Sequence, residues 1–243
     1  MYTRPRSALR TAVVWEVLRT ALDRKAESLG RPVLDVLDTG GGTGNFAVPV
    51  ASLGHRVTVV DPSPDALFAL ERRAAEAGVT GQVRAIQGDT STLAQQVEPA
   101  SMDAVLCHGV LEVVDDPAES LRELTAVLRD GGLVSLLAAN RNGAVLARAL
   151  SGHFAEARAT LSGVEKPDSR RFTSDELDAL ARGAGLRVRS VHGVRIFADL
   201  VPGVLVDTEP GAHDALLALE QAASADPSFH AVATQLHVLA ELG

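Results

Sequence analysis

Leu9, Val13, Val17 and Leu18, joined by Ala21 and Leu22, recur at helical spacing near the start of the chain. That spacing lines one face of a helix, which Ser7 would cap and Gly30 would end. From Val33 the pattern changes, and residues 33–38, Val-Leu-Asp-Val-Leu-Asp, read as a buried strand. A glycine loop follows, then a short helix over residues 45–53. The alternation repeats. Residues 56–60 predict a second strand ending at Asp61, and Ser63 with Pro64 at the next position predicts a capped helix. Residues 82–87 and 103–108 predict the third and fourth strands. Asp116, Pro117 and Glu119 open another helix, whose Leu121, Leu124 and Leu128 are expected to face the sheet. Gly131-Gly132 leads into a fifth strand over 133–138. Residues 140–171 fit neither period and read as a cap over the site. Thr173-Ser174-Asp175-Glu176 is a capping box opening a helix to about Arg182, and 186–194 and 231–242 predict the last strands.

Strands alternating with helices imply an α/β fold: a Rossmann-like, doubly wound, mostly parallel seven-stranded sheet. The expected organisation is a single domain over 1–243, with an N-terminal lid helix (1–30) and a small cap (140–172). Composition agrees with a globular chain, since 46% of residues are hydrophobic and 22% charged. Only 3% are aromatic, so Leu, Val and Ala must fill the core. A formal net charge of −8 argues against binding nucleic acid over the whole surface. The start of the chain is locally basic, however, through Arg4, Arg6, Arg10, Arg19, Arg24 and Lys25. Cys107 is the sole cysteine, which excludes an internal disulfide, a cysteine-rich zinc site and an iron–sulfur cluster, and with it radical chemistry. No metal site is expected. The apolar run 12–15 stops at Glu16, too short for a signal-peptide core or a membrane span, so a cytoplasmic protein without a membrane partner is expected.

The chemistry concentrates in Asp38-Thr39-Gly40-Gly41-Gly42-Thr43-Gly44-Asn45, between a strand and a helix. Glycines there let the backbone turn tightly and approach a ligand. A dinucleotide fingerprint would need glycine where Asn45 stands, and a P-loop would need a lysine that is absent. A G-x-G-x-G loop suits S-adenosylmethionine, which carries no pyrophosphate. Asp61, ending strand two, can accept hydrogen bonds from both ribose hydroxyls. Gly88-Asp89-Thr90, after strand three, can read the adenine amino group. Three successive strand ends thus line one crevice. Asp38 is read as ordering the loop, Asp35 as structural and Cys107 as a small buried hydrophobe.

With those residues in place, the chain resembles class I S-adenosylmethionine-dependent methyltransferases over roughly residues 30–240. A narrower resemblance, to the tRNA 5-carboxymethoxyuridine methyltransferases, rests on dispersed matches in order: Tyr2, Leu9-Arg10, Trp15, the run 37–42, His108-Gly109-Val110-Leu111-Glu112, Ser135-Leu136 and Gly193-Val194-Arg195-Ile196-Phe197. The resemblance implies that Arg10, Gly40, Gly41, Asp61, Thr90 and His108 hold the cofactor, and the reading of the loop and strand ends adds Gly42, Gly44, Asp38 and Asp89 to the expected site. Arg10 would pair with the methionine carboxylate and His108 would stand beside the transferred methyl. Arg195 would orient an acceptor carboxylate, and Tyr2 and His237 would join it at the substrate. The chain departs from that family between the cap and the late helix, where Lys166, Arg170 and Arg171 are mixed with Glu165 and Asp168 in place of a lysine-rich segment.

Methyl transfer from an activated sulfonium depends chiefly on alignment and exclusion of water. A carboxylate acceptor needs only a cation to place it, for which Arg195 is the candidate. A hydroxyl acceptor would use a base, His108 or His237. The chain lacks the Asn/Asp-Pro-Pro-aromatic motif after strand four that suits exocyclic amines, and the Pro-Cys nucleophile that suits pyrimidine C5. The expected substrate is a modified wobble uridine in the tRNA anticodon loop, accepting the methyl on a carboxyl or hydroxyl oxygen. The alternatives are a small-molecule O- or N-methyltransferase, a nicotinamide-dependent oxidoreductase, which Asn45 speaks against, and a non-catalytic cofactor-binding module.

Overall fold

The computed structural model describes residues 6–163 and 170–243, with the backbone alone at 6–10 and Asp207. Tyr2, Arg4, Glu165, Lys166 and Asp168 therefore lie outside the described residues. The chain opens with α1 (Arg6–Leu29), then β1 (Asp35–Thr39), α2 (Ala47–Ser52), β2 (Arg56–Asp61), α3 (Pro64–Glu76) and β3 (Val83–Gln87). A 3-10 turn (Thr90–Thr92) leads to α4 (Leu93–Gln96), β4 (Met102–His108), α5 (Pro117–Ala126) and β5 (Leu128–Ala139). Then come α6 (Arg141–Leu150), α7 (Phe154–Leu161), α8 (Ser174–Gly183) and β6 (Leu186–Val194). The chain ends with α9 (Gly203–Thr208), α10 (Ala212–Ser224), α11 (Pro227–His230) and β7 (Gln235–Leu242).

The seven strands form one sheet in the order β3-β2-β1-β4-β5-β7-β6. All pairs are parallel except those made by β7, which runs antiparallel to both β5 and β6. The expected doubly wound sheet is therefore present. Its carboxyl edge gathers the ends of β1 to β6 on one side of the molecule, where ligands of such sheets bind.

Alternation along the strands divides the core in two. Leu37, Val105, Cys107, Leu136 and Val238 face α5 and α8. Val36, Val57, Ala104 and Leu106 face α1, α2 and α3, where Leu18, Leu22 and Leu70 complete the packing. The N-terminal half of α1 covers the far end of that second face, with Val13 and Val14 against Leu137 and Val194. The caps form as their residues require. Ser63 accepts from the Ala66 N–H, Asp116 from the Ala118 and Glu119 N–H groups, and Thr173 and Glu176 close a reciprocal box.

Three expectations change. Leu128 opens β5 rather than closing α5, because the helix ends at Ala126 and β5 begins before its Gly131-Gly132 bend. The irregular stretch after residue 140 contains two helices, α6 and α7, packed on each other. The expected last strand begins at Gln235, and residues 203–230, which carry no clear period, hold α9, α10 and α11.

At the opposite, amino edge of the sheet sits an ion network that answers the structural reading of Asp35. Buried Asp103 binds Arg31 and lies 2.8 Å from Arg129, and it accepts the Asp35 N–H. Asp35 in turn binds Arg56 at 2.7 Å and Arg129 at 3.2 Å. Burial works against the Asp35 charge, but the Arg56 and Arg129 guanidinium groups outweigh it and hold the carboxyl below its usual range.

Candidate active site

At the end of β1 the backbone turns through Gly40 (φ +63), Gly42 (φ +54) and Gly44 (φ +80), all in the left-handed region. A Cβ on Gly40 would stand 2.6 Å from the Val110 side chain, and one on Gly41 2.7 Å from the Asp38 carboxyl. The loop is therefore wedged between the β4 exit and its own strand, and only glycine fits. The Gly40 N–H donates to the Val60 carbonyl at 2.7 Å, anchoring the turn to β2.

Asp38 is 3% exposed beneath this loop. Burial first, then the neighbouring Asp61 carboxylate, pushes its pKa up to about 7, against a backbone hydrogen bond from Ala47. Asp61 ends β2 with Oδ2 accepting the Gly42 N–H and Oδ1 the Ser63 N–H, both at 2.9 Å. It therefore braces the glycine loop as well as standing on the cavity wall. Asp89 caps the 3-10 turn, its Oδ1 accepting from Ser91 and Thr92, and the Ser91 hydroxyl chiefly holds the carboxyl below its usual range. Thr90 is buried and shares a 3.1 Å hydrogen bond with Ser120 of α5.

These strand ends open on a cavity of about 650 Å³ lined by Thr39, Gly40, Asp61, Asp89, Thr90 and Ser120, with an apolar wall of Val60, Val110, Val113 and Val114. That volume lies within the range of small-molecule and cofactor sites. Its outer rim is acidic, through Asp115, Asp116, Glu119 and Glu123. Two contacts missed in the sequence hold the wall. The Glu112 Oε1 accepts the Ala139 N–H at 2.8 Å, tying the β4 exit to β5. Arg170 donates to the Val114 carbonyl at 2.7 Å and to that of Asp115 at 3.3 Å.

His108 ends β4, half-buried and packed edge-on against Phe46, with ring centroids 4.5 Å apart. Burial lowers its pKa to about 3, so the ring is neutral. Its Nε2 lies 2.8 Å from the Ser135 Oγ. His237 does not reach the cavity: it is wholly buried within the sheet, on the other side of the same hydroxyl, with Nε2 at 2.8 Å. The expectation of His237 as a substrate contact is thereby corrected, since its place on central β7 encloses it between β5 and β6.

Arg195 follows β6 at the carboxyl edge in a left-handed conformation, φ +59. Its guanidinium is paired with Asp199, which also accepts from the Thr234 hydroxyl at 2.9 Å. The turn beyond is held by buried Glu220 of α10, whose carboxylate accepts the Ile196, Phe197 and Ala198 N–H groups at 2.7–2.9 Å. Non-glycine residues persist in this conformation only where surroundings over-determine it. Arg195 does not line the cavity described above. Arg10 lies in the first turns of α1, and Tyr2 outside the described residues. Cys107 is buried as expected, with its thiol pushed up to about 12 by burial, and is no nucleophile. Among the described residues no cluster of His, Cys, Asp or Glu could hold a metal ion, and no helix is long and apolar enough to cross a membrane.

Comparison with known proteins agrees with this geometry. The methyltransferase domain family matches residues 37–136, from the middle of β1 to the middle of β5. The chain is 29% identical over 246 residues to the tRNA 5-carboxymethoxyuridine methyltransferase of Escherichia coli K12, covering 99% of this chain and 90% of that protein. It is 32% identical over 173 residues to the ubiquinone biosynthesis O-methyltransferase of Xanthomonas campestris pv. campestris strain B100, covering 71% of each. Among solved structures it matches the geranyl diphosphate C-methyltransferase of Streptomyces coelicolor A3(2) with a TM-score of 0.60 at 16% identity, over 96% of this chain and 84% of that one. That protein was crystallised with Mg²⁺, geranyl diphosphate and S-adenosyl-L-homocysteine, and the likeness to it is one of fold.

Proposed function

Since the chain belongs to the class I S-adenosylmethionine-dependent methyltransferases, we propose that it methylates a carboxyl or hydroxyl oxygen on a modified wobble uridine of tRNA. Its cofactor, S-adenosyl-L-methionine, supplies a methyl already activated on a sulfonium. The observation that carries the tRNA reading is extent. Similarity to the tRNA enzyme runs over 99% of the chain, whereas similarity to the O-methyltransferase stops at 71%. A substrate-specific likeness is expected to include segments outside the cofactor-binding half.

The residues present fit the cofactor. The glycines at 40, 41 and 42 present backbone without side chains, and the Asp61 carboxylate stands at the ribose position with acceptor capacity left beyond its two backbone bonds. Asp89 and Thr90 close the adenine end, Arg10 and α1 the methionine end, and His108 stands at the methyl end. Arg195 receives the acceptor carboxylate by exchanging it for Asp199. The helices α1, α6 and α7 close over the crevice and exclude water.

A second reading, a small-molecule O-methyltransferase, is favoured by the acidic rim at Asp115, Asp116, Glu119 and Glu123, which repels phosphates. One experiment separates the two. The protein is incubated with methyl-labelled S-adenosylmethionine and tRNA from a strain lacking its gene, and the nucleosides are resolved by mass spectrometry. Label on a wobble uridine, lost when an unmodified transcript is used, supports the tRNA reading. Binding through phosphates would also weaken steeply with salt. No label in tRNA and none of the salt-dependent binding would leave the small-molecule reading.

A further inference from the structure

The turn after β6 has two features that its shape alone does not require. The first is the residue at its corner. Among the described residues only Ala100 and Arg195 carry a side chain at positive φ, and Arg195 stands at +59. A turn selected for shape would place glycine there, because a Cβ in the left-handed region is strained. The second is the way the next peptide is held, at both of its ends. The Arg195 carbonyl accepts the Thr234 N–H at 3.4 Å and lies 3.1 Å from the Thr234 hydroxyl. The Ile196 N–H donates to one oxygen of Glu220 at 2.9 Å, and Phe197 and Ala198 donate to the other at 2.8 and 2.7 Å. Successive N–H groups of this kind form a concavity for an anion, which the protein fills with its own acid.

Glu220 shares the buried stripe of α10 with Leu216 and Ala223 and is 1% exposed. Burying a carboxylate is unfavourable unless hydrogen bonds replace its water, and an apolar residue at 220 would leave three N–H groups unpaired. The acid and the turn thus need each other, and what they jointly fix is the backbone that carries the Arg195 side chain. That side chain stands one residue beyond Val194, which packs with Val13, Val14 and Leu137 where α1 meets the carboxyl edge. It lies outside the cofactor cavity but on the same edge of the sheet. Its guanidinium is paired with Asp199 and still 22% exposed, so an anion arriving from solvent can reach it.

We infer that Glu220 is a positioning residue for the methyl acceptor: by gripping the N–H groups of residues 196–198 it fixes Arg195, and Arg195 in turn meets the acceptor carboxylate. This rests on the reading of Arg195 as the cation that receives that carboxylate. Glu220 itself touches no substrate and moves no proton. Its part on the acceptor side matches that of Asp61 on the cofactor side, where a carboxylate braces the Gly42 N–H.

Glu220→Gln keeps the shape but turns an amide nitrogen, which cannot accept, toward backbone donors, so at least one of the three bonds is lost. Glu220→Asp keeps the charge but falls a methylene short, and serves where the first variant does not fold. Two measurements on the full-length protein are decisive. In nitrogen-15 spectra the Arg195 Nε–H, assigned by its loss in Arg195→Ala, should stand apart from the exposed arginines, and should merge with them in Glu220→Gln. In methyl transfer to tRNA bearing carboxymethoxyuridine, Glu220→Gln should raise KM for tRNA about tenfold. Its kcat and its affinity for S-adenosylhomocysteine should stay within about twofold of wild type, and the double variant with Arg195→Ala should be no worse than Arg195→Ala alone. A Glu220 that only stabilises the fold would lower kcat and melting temperature, leave KM alone and add to Arg195→Ala. That result, or an Arg195 signal indifferent to Glu220→Gln, would overturn the inference. No transfer to tRNA, or an unchanged KM in Arg195→Ala, would overturn the acceptor reading instead, and the spectrum would still decide whether Glu220 holds Arg195.

Discussion

Replacing Asp61 by Ala removes three things at once, and the structure allows them to be separated. Two are internal: the carboxylate oxygens that accept the Gly42 and Ser63 N–H groups at 2.9 Å. The third is the proposed acceptance of the ribose hydroxyls. Hydrogen bonds to a charged group contribute about 1.5–3 kcal/mol each. In the free protein Gly42 is partly exposed and Ser63 exposed, so their N–H groups can turn to water, most of that loss is recovered and the melting temperature should fall by only a few degrees. With cofactor bound, water is displaced and the ribose loses its partner too. Affinity for S-adenosylhomocysteine should therefore fall by about 2–4 kcal/mol, roughly 30- to 1000-fold, when titrated calorimetrically. Asp61→Asn keeps one acceptor but turns an amide N–H toward a donor, and should fall between the two. A variant whose melting temperature drops while its affinity stays within about twofold of wild type would make Asp61 a loop brace alone and move the ribose contact elsewhere.

Asp38 gives a pH test. Its folded pKa of about 7 exceeds the ordinary value of 3.8, so between those values the folded state holds a proton that the unfolded chain has released. Stability should fall as pH rises through that window, by up to about 4 kcal/mol, and Asp38→Asn should remove that slope. Because His55, His108, His192 and His237, all with pKa lowered chiefly by burial, impose the opposite slope below the ordinary histidine value of 6.5, the difference between the two proteins is what must be measured by denaturant titration, and parallel curves would refute the reading. Asp103→Ala should leave the partly exposed Arg31 and Arg129 to Asp35 alone and free the Asp35 N–H, lowering stability by about 1–3 kcal/mol by urea denaturation, with affinity for S-adenosylhomocysteine unchanged, since the network lies at the far edge of the sheet. Gly44→Ala would place a Cβ 2.4 Å from Leu70 at φ +80, and should lower the melting temperature by roughly 5–10 °C.

Much of the fold was legible because burial and turn chemistry are written locally. The apolar runs of β1, β2 and β4 match their double-sided burial, and β6 begins and ends where its pattern does, at Leu186 and Val194. The caps at Ser63, Asp116 and Thr173 act through residues within three positions of themselves, and so were readable. What was missed depends on distant partners. Position 143, in the first turn of α6, is glycine because a Cβ there would stand 2.0 Å from the Ala233 carbonyl, ninety residues on. Buried Asn140 donates to that same carbonyl at 2.7 Å, and nothing beside it in the chain announces this. In α10 the single buried acid Glu220 folds the turn after β6, a role that helical periodicity would assign to the surface.

The site divides along the same line. Gly40 to Gly44, Asp61 and Asp89 are legible because each stands at a strand end, and in a parallel sheet strand ends converge without further information. His108 was expected beside the cofactor from its place at the end of β4, but it does not line the cavity, and its Nε2 is held by Ser135, 27 positions away and joined to it only by sheet register. His237 was expected at the substrate, as a candidate base for a hydroxyl acceptor. Its strand is flanked on both sides, however, and its polar atom is consumed by Ser135. Arg195 shows the converse. Its charge suggested a free cation, but Asp199, one turn further on, already holds it, so any carboxylate it receives must outcompete a partner fixed by Thr234. Intramolecular competition of that kind favours an acceptor that brings additional contacts of its own, as a nucleoside on a folded RNA would, over a small free acid.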